Sequence, residues 1–290
     1  MSQTPDSNTD RNRHGTMSRS HGRFVWYELM TADLEAAKAF YGKVIGWGTR
    51  ETTPAPRYTL FTAGDVPTGG LINLPQDAKT QGAAPQWVGY INVDNVDAAV
   101  HRVKELNGTV YVPPTDIADI SRFSVVADPQ MATFVLVKWR DSGRQHSIQS
   151  GALGHVGWQE LLAADWQQAF AFYREIFGWQ KAVAEVGPTG TYQQFAAAGQ
   201  IVGGMFNKPV TVPVAFWLYY FNVADIGAAT ERVRAGGGTI LEGPTDIPGG
   251  VRVARCTDPQ GAIFALIGKQ SDKTVGYFEP VASRDFIAHE

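Results

Sequence analysis

The residues of this chain best suited to chemistry come in matched pairs. Trp26-Tyr27-Glu28-Leu29 recurs as Trp158-Gln159-Glu160-Leu161, each inside a short β-rich run, Phe24 to Met30 and Val156 to Leu162. Side chains alternate along a strand, so Trp26 and Glu28 share one face, as do Trp158 and Glu160. A carboxylate beside an indole in a concave apolar site is partly desolvated, which raises its pKa and suits it to general-base work. On that ground Glu28 and Glu160 are the catalytic candidates. The alternative is structural, a buried acid paired with an arginine or with backbone donors. Arg122 and Arg252 are the arginines in question, each opening a strand and matched to the other. A guanidinium there could clamp a ligand carboxylate or phosphate in bidentate fashion, stand in water, or pair with the repeated Glu.

The matching extends along the chain. Phe40-Tyr41 with Gly46-Trp47 returns as Phe172-Tyr173 with Gly178-Trp179. Pro114-Thr115-Asp116-Ile117 returns as Pro244-Thr245-Asp246-Ile247, and Asp128-Pro129-Gln130 as Asp258-Pro259-Gln260. The spacing is 132 residues from Glu28 to Glu160 and 130 from Asp128 to Asp258. A period this long repeats a whole folding module rather than a solenoid turn.

Within each copy the elements that must position these residues follow one plan. After the opening strand an Asp N-cap, Asp33 or Asp165, starts a helix whose Leu34, Ala37 and Tyr41 share a face in the first copy; Gly46 or Gly178 stops it. Tyr58 to Thr62 and Tyr192 to Phe195 read as strands, followed by Gly-rich turns at Gly69-Gly70 and Gly203-Gly204. The plan then repeats: strands Trp87 to Val93 and Trp217 to Val223, an Asp (Asp94 or Asp225) leading a second helix, and three further strands. Each module is thus β-α-β-β-β twice, an α+β pattern. The boundaries are a disordered polar tail at 1–22, a first module at 23–140, a linker at 141–153, a second module at 154–269 and a C-terminal tail at 270–290.

With D-x-x-x-A-x-x-F-Y after the first strand and D-P-Q before the last, the chain resembles the vicinal oxygen chelate superfamily, which includes glyoxalase I, bleomycin-resistance proteins and extradiol dioxygenases. Within it the chain looks most like two-module glyoxalase-like proteins. The resemblance implies tandem modules of curved mixed sheets around a cavity, related by a pseudo-twofold axis. It also implies a divalent metal held by His, Glu or Gln on inner strand faces. The positions it indicates are Trp26 and Trp158, Gly70-Leu71 and Gly204-Met205, Val88 and Leu218, and Val135 and Ala265. None is a metal-binding residue, and an indole nitrogen only donates. No metal or other cofactor is therefore expected at the usual positions, although a divalent ion on other residues stays open.

In place of the metal the resemblance leaves a Trp-lined cavity, with Trp26, Trp158, Val88, Leu218, Arg122 and Arg252 as ligand-binding candidates. Trp87 and Trp217, one residue before the vacant positions, face the helices and read as core. Trp47 and Trp179 read as plugs at a module edge, and Cys256 as a small core residue. Tyr219 stands where the first copy has Gly89, so the halves cannot present identical surfaces there.

Composition narrows the partners. The chain has 25 basic and 28 acidic residues with no basic block, and its 44% hydrophobic content contains no run near the roughly 20 residues a membrane helix needs. Nucleic acid and membrane are not expected partners; a small molecule is. A single cysteine suits a reducing, cytoplasmic setting. The expected state is a monomer containing a pseudo-dimer, or a homodimer of such chains. The function expected is binding of a small aromatic or hydrophobic molecule, in detoxification. The alternative is a glyoxalase-like lyase, hydroxylase or dioxygenase-type enzyme working through Glu28 and Glu160 or a non-standard metal site.

Overall fold

Asp33 and Asp165 cap their helices as their sequence context requires. The Asp33 carboxylate accepts Ala36 N–H at 3.0 Å and that of Asp165 accepts Gln167 and Gln168 N–H, while Gly46 and Gly178 close the other ends in the left-handed region (φ 90° and 68°). These caps delimit α1 (Leu34–Ile45) and α4 (Trp166–Phe177). The computed structural model describes residues 18–52, 58–80, 82–140, 151–187 and 190–269.

The first module runs β1 (Phe24–Thr31), α1, β2 (Gly48–Glu51), β3 (Thr59–Ala63), β4 (Val66–Asn73), a short α2 (Gln76–Thr80), β5 (Gln86–Asn92), α3 (Val96–Glu105), β6 (Thr109–Ile117), β7 (Ser121–Ala127) and β8 (Thr133–Trp139). The second runs β9 (Val156–Ala163), α4, β10 (Gln180–Gly187), β11 (Gly190–Ala197), β12 (Gln200–Asn207), β13 (Phe216–Asp225), α5 (Ile226–Ala235), β14 (Thr239–Ile247), β15 (Val251–Thr257) and β16 (Ile263–Lys269). Each forms an eight-stranded mixed sheet, ordered β2-β3-β4-β1-β5-β8-β7-β6 and β10-β11-β12-β9-β13-β16-β15-β14. The two β-α-β-β-β units of a module join along one antiparallel pair, β1 with β5 or β9 with β13. Glu28 and Glu160 therefore lie near the middle of their sheets.

Three expectations change. The second helix of the first module is capped by Asn95, whose side chain accepts Ala98 N–H at 3.0 Å; Asp94 instead accepts Ser18 N–H and pairs with His21. Gly69-Gly70 and Gly203-Gly204 are not turns but lie inside β4 and β12, paired with β1 and β9. Residues 18–22, assigned to the tail, are folded onto the first module. Gly22 N–H donates to Asn92 O at 2.8 Å, so polar composition does not free a segment whose backbone extends a strand pairing. The tail at 1–17, the linker at 141–150 and the tail at 270–290 lie outside the described residues. Among the described residues no helix is long and apolar enough to cross a membrane.

The two modules share one hydrophobic core, and the repeated motifs tie it together crosswise. Tyr41 on α1 donates to Asp258 of the second module at 3.2 Å and accepts Trp87 Nε1–H at 2.9 Å. Reciprocally, Tyr173 on α4 donates to Asp128 at 3.0 Å and accepts Trp217 Nε1–H at 3.0 Å. Gln260 accepts the Ala32 and Asp33 N–H groups and donates to Asp33 O; Gln130 does the same for Ala164 and Asp165. Trp47 donates to Gly154 O and Trp179 to Gly22 O, both at 2.7 Å. Trp87 and Trp217 are core, and the plugs Trp47 and Trp179, expected at a module edge, sit where the two modules meet.

Tyr41→Phe strands the Trp87 indole N–H and one oxygen of Asp258, both buried. It should cost about 1–3 kcal/mol, the usual penalty for orphaning buried polar groups. A lowered denaturant midpoint for Tyr41→Phe, against little change for an exposed control such as Lys43→Ala, is the expected result.

Candidate functional site

Strand pairing assembles the same cluster in both sheets. In the first, Trp26 sits opposite Tyr90, and Glu28 opposite Val88 on one side and Gly70 on the other. In the second, Trp158 sits opposite Tyr220, and Glu160 opposite Leu218 and Gly204. Both carboxylates are buried, and each is gripped by two phenols. Glu28 accepts from Tyr58 at 2.6 Å and Tyr90 at 2.9 Å; Glu160 accepts from Tyr192 at 2.8 Å and Tyr220 at 2.6 Å. The neighbouring indole completes the chain, Trp26 Nε1–H donating to Tyr58 at 3.0 Å and Trp158 Nε1–H to Tyr192 at 2.8 Å.

The glycine opposite each Glu has a specific reason. A Cβ on Gly70 would overlap the Tyr58 hydroxyl, and one on Gly204 the Tyr192 hydroxyl. The space in which the resemblance places a ligand side chain is filled by a phenol reaching across from the adjacent strand. Burial pushes Tyr58, Tyr90, Tyr192 and Tyr220 above the ordinary phenol value, and the neighbouring Glu adds to that shift, so all four are held as protonated donors. Burial raises the Glu28 pKa as well; the two phenol hydrogen bonds oppose that rise without cancelling it.

The positions implied for a metal, namely Trp26, Gly70, Val88 and Val135 with Trp158, Gly204, Leu218 and Ala265, bring no donor set together. Among the described residues no group of three or more His, Cys, Asp or Glu is placed to hold a metal ion. One carboxylate with two neutral phenols is a poor fit to a divalent cation, which takes anionic oxygen or imidazole ligands.

The second sheet carries an open cavity of about 630 Å³. Trp158, Tyr192, Phe206 and Tyr220 supply its aromatic walls, Glu160 its inner wall, and Glu185, Glu242 and Arg255 further charged groups. Tyr192 and Phe206 lie with ring centroids 5.8 Å apart and planes tilted by 32°. Arg255 donates to Glu242 at 2.8 Å, approaches Glu160 and the Tyr220 hydroxyl at 3.4 Å each, and stands 5.4 Å over the Phe206 ring.

The structure brings Trp158 and Glu160 together in this cavity, and Trp26 with Glu28 in the equivalent place of the first module. Val88 and Leu218 are fully buried beside the carboxylates; Leu218 packs behind the cavity rather than lining it. Arg122 and Arg252 lie outside it. Arg122 makes two 2.8 Å bonds to Asp97 and one of 3.0 Å to Asp116, while Arg252 pairs with Asp246 and donates to Pro244 O. Strand alternation is the cause: positions 252 and 255 face opposite sides of β15, and Val251, Val253 and Arg255 are the residues of that strand that line the cavity. Arg255 pairs in register with Ala265, whose small side chain leaves it room, and its counterpart in the first module is Val125. The four tyrosines and Arg255 were readable only as repeats and as a mismatch between copies. His155 is buried at the entry to β9, away from the cavity lining, and Cys256 is a buried thiol whose pKa burial pushes up to about 12.

Glu28 makes a pH prediction. A carboxyl whose folded pKa is raised contributes stability that is full below the ordinary carboxylate range and is lost as pH rises through the folded value. Glu28→Gln escapes that loss. The stability of Glu28→Gln relative to the unsubstituted protein should therefore improve from about pH 4 to about pH 8 in denaturant melts. A difference that does not vary with pH would mean that Glu28 titrates normally.

A family model described as the Glyoxalase/Bleomycin resistance protein/Dioxygenase superfamily matches residues 23–136 and again 152–266. A Mycobacterium tuberculosis protein, CFP32, named as a candidate glyoxylase, is 33% identical over 246 residues, 83% of this chain and 93% of its own length. The Streptomyces peucetius anthracycline biosynthesis protein DnrV is 30% identical over 260 residues, 85% of this chain and 93% of its own. Among solved structures, the Mn(II)-bound glyoxalase of Novosphingobium aromaticivorans superposes with a TM-score of 0.57 at 15% identity, covering 87% of this chain and 83% of that one. Homoprotocatechuate 2,3-dioxygenase of Brevibacterium fuscum gives 0.59 at 14% identity, covering 87% and 82%.

Proposed function

The chain belongs to the Glyoxalase/Bleomycin resistance protein/Dioxygenase superfamily, and we propose that it is a binding protein for a small, flat aromatic or hydrophobic molecule, held in the second-module cavity without the family's metal. The observation that carries this reading is the cavity itself. A space of about 630 Å³ walled by Trp158, Tyr192, Phe206 and Tyr220, with a few converging polar groups, has the ordinary form of a ligand pocket. Relatives named for anthracycline biosynthesis agree with a fused-ring ligand. Sequestration of such a compound in detoxification is the role that follows, as a soluble small-molecule binder with no nucleic-acid or membrane partner.

The carboxylates support binding over proton abstraction. A general base needs a free lone pair aimed at the substrate. Each oxygen of Glu160 already accepts a tyrosine hydroxyl, so the carboxylate serves to fix two phenols that form the cavity wall. A lyase or dioxygenase working through Glu160 would have to place its proton on the lone pairs that these hydroxyls leave.

Titration with a hydroxyanthraquinone should quench tryptophan emission with saturation, and Trp158→Phe should remove much of the signal. The same isotherm is expected after exhaustive dialysis against EDTA. A stoichiometric transition metal that survives dialysis, and whose removal abolishes binding, would overturn the metal-free reading. Absence of any saturable quench or binding heat would overturn the binding reading itself.

A further inference from the structure

The charges around the second-module cavity are unbalanced, and they select among ligands of similar shape. Glu160, Glu185 and Glu242 line it, and Arg255 is the only basic side chain among the described residues that does so. Arg255 is already committed: its guanidinium is bonded to Glu242 at 2.8 Å, lies 3.4 Å from Glu160 and covers the Phe206 ring. An anionic ligand seeking it would have to displace Glu242 and approach Glu160 and Glu185 as well. Glu185, exposed on β10, has no ion-pair partner among the described residues. It joins the cavity beside Thr191 and Tyr192 of the adjoining strand.

Resting on the binding reading above, we infer that the ligand is a cation, an aromatic molecule carrying a protonated amine whose rings lie against Trp158, Tyr192 and Tyr220 and whose charge faces Glu185. Two independent features converge on this class. Aromatic faces attract cations through the negative charge at the ring centre, and a carboxylate near such faces adds a charge partner. Arg255 over Phe206 is the same interaction already made within the chain, at 5.4 Å. The first module lacks Arg255, having Val125 in its place, so the bridge to Glu160 and Glu242 that ties up this guanidinium is specific to the second cavity. Arg255 thereby acts as a specificity residue: its single charge is shared between Glu160 and Glu242, and Glu185 is left for the ligand.

The test uses three anthraquinone probes that share one ring system and differ in a short tail ending in an ammonium, a hydroxyl or a carboxylate. Affinities are read by calorimetry and tryptophan quenching on the full chain. The ammonium probe should bind about tenfold more tightly than the hydroxyl probe, and the carboxylate probe more weakly than either. Glu185→Gln should erase most of the ammonium advantage while leaving the hydroxyl probe unchanged, and added salt should do the same in part. Equal affinities, or a preference for the carboxylate probe that Arg255→Gln removes, would overturn the cation inference while leaving the cavity reading intact, because the hydroxyl probe still binds. If none of the three binds, both fall.

Discussion

The crosswise clasp between modules is the constraint on which the rest of this structure depends. Each Asp-Pro-Gln turn serves the opposite half. Its Asp takes the hydroxyl of the other module's helix tyrosine, and its Gln ties down the backbone where that helix begins. Asp128 and Asp258 are buried and accept two backbone N–H groups each from their own turns, so each turn is braced by its own backbone as well as by its partner. Because α1 and α4 are held this way, the strands before them, β1 and β9, are held too. Those are the strands that carry Trp26 with Glu28 and Trp158 with Glu160. Site geometry in one module is thus anchored by residues of the other.

That arrangement explains what the sequence made legible and what it did not. Element order follows from local signals, and those are strong here: Asp33 and Asp165 as caps, Gly46 and Gly178 as stops, alternating strands between. The long-range use of a motif leaves no such trace. Asp258 and Tyr41 are 217 residues apart, and nothing near either indicates that one accepts from the other. Glu28 and Glu160 were identifiable because strand alternation joins them to a neighbouring Trp on one face. Their phenol partners were harder, since Tyr58 and Tyr192 arrive from another strand through a gap that only the facing glycine leaves open. The glycines looked like turn residues for the same reason: from sequence, a missing side chain does not reveal what occupies its space.

The Glu-centred clusters stand where the resemblance implies a donor set for a metal. A metal site needs converging unpaired ligands, whose mutual repulsion the ion offsets. Here a single carboxylate is satisfied by two neutral phenols and, in the second module, an adjoining guanidinium. The network links Trp26 and Glu28 on β1 to Tyr90 on β5 and to Tyr58 beside β3, and such linked hydrogen bonds stiffen the wall they form. The carboxylate thereby becomes part of the scaffold that holds the aromatic faces in place.

Differences between the copies divide into two kinds, and the division separates packing from recognition. Residues on the pseudo-twofold axis meet their own counterparts. Gly89 donates its N–H to the Tyr219 hydroxyl at 2.7 Å, and Tyr27 donates to Gln159 at 3.1 Å. Two tyrosines at the 89/219 position would collide and two glycines would leave a void, so packing alone demands a large residue opposite a small one. A symmetric homodimer cannot make that choice; a duplicated chain can. Val125 and Arg255 do not meet across the axis, and nothing in the interface requires them to differ. Their difference changes the charge and the free space of the second-module cavity, and on the proposed binding reading it is a matter of recognition.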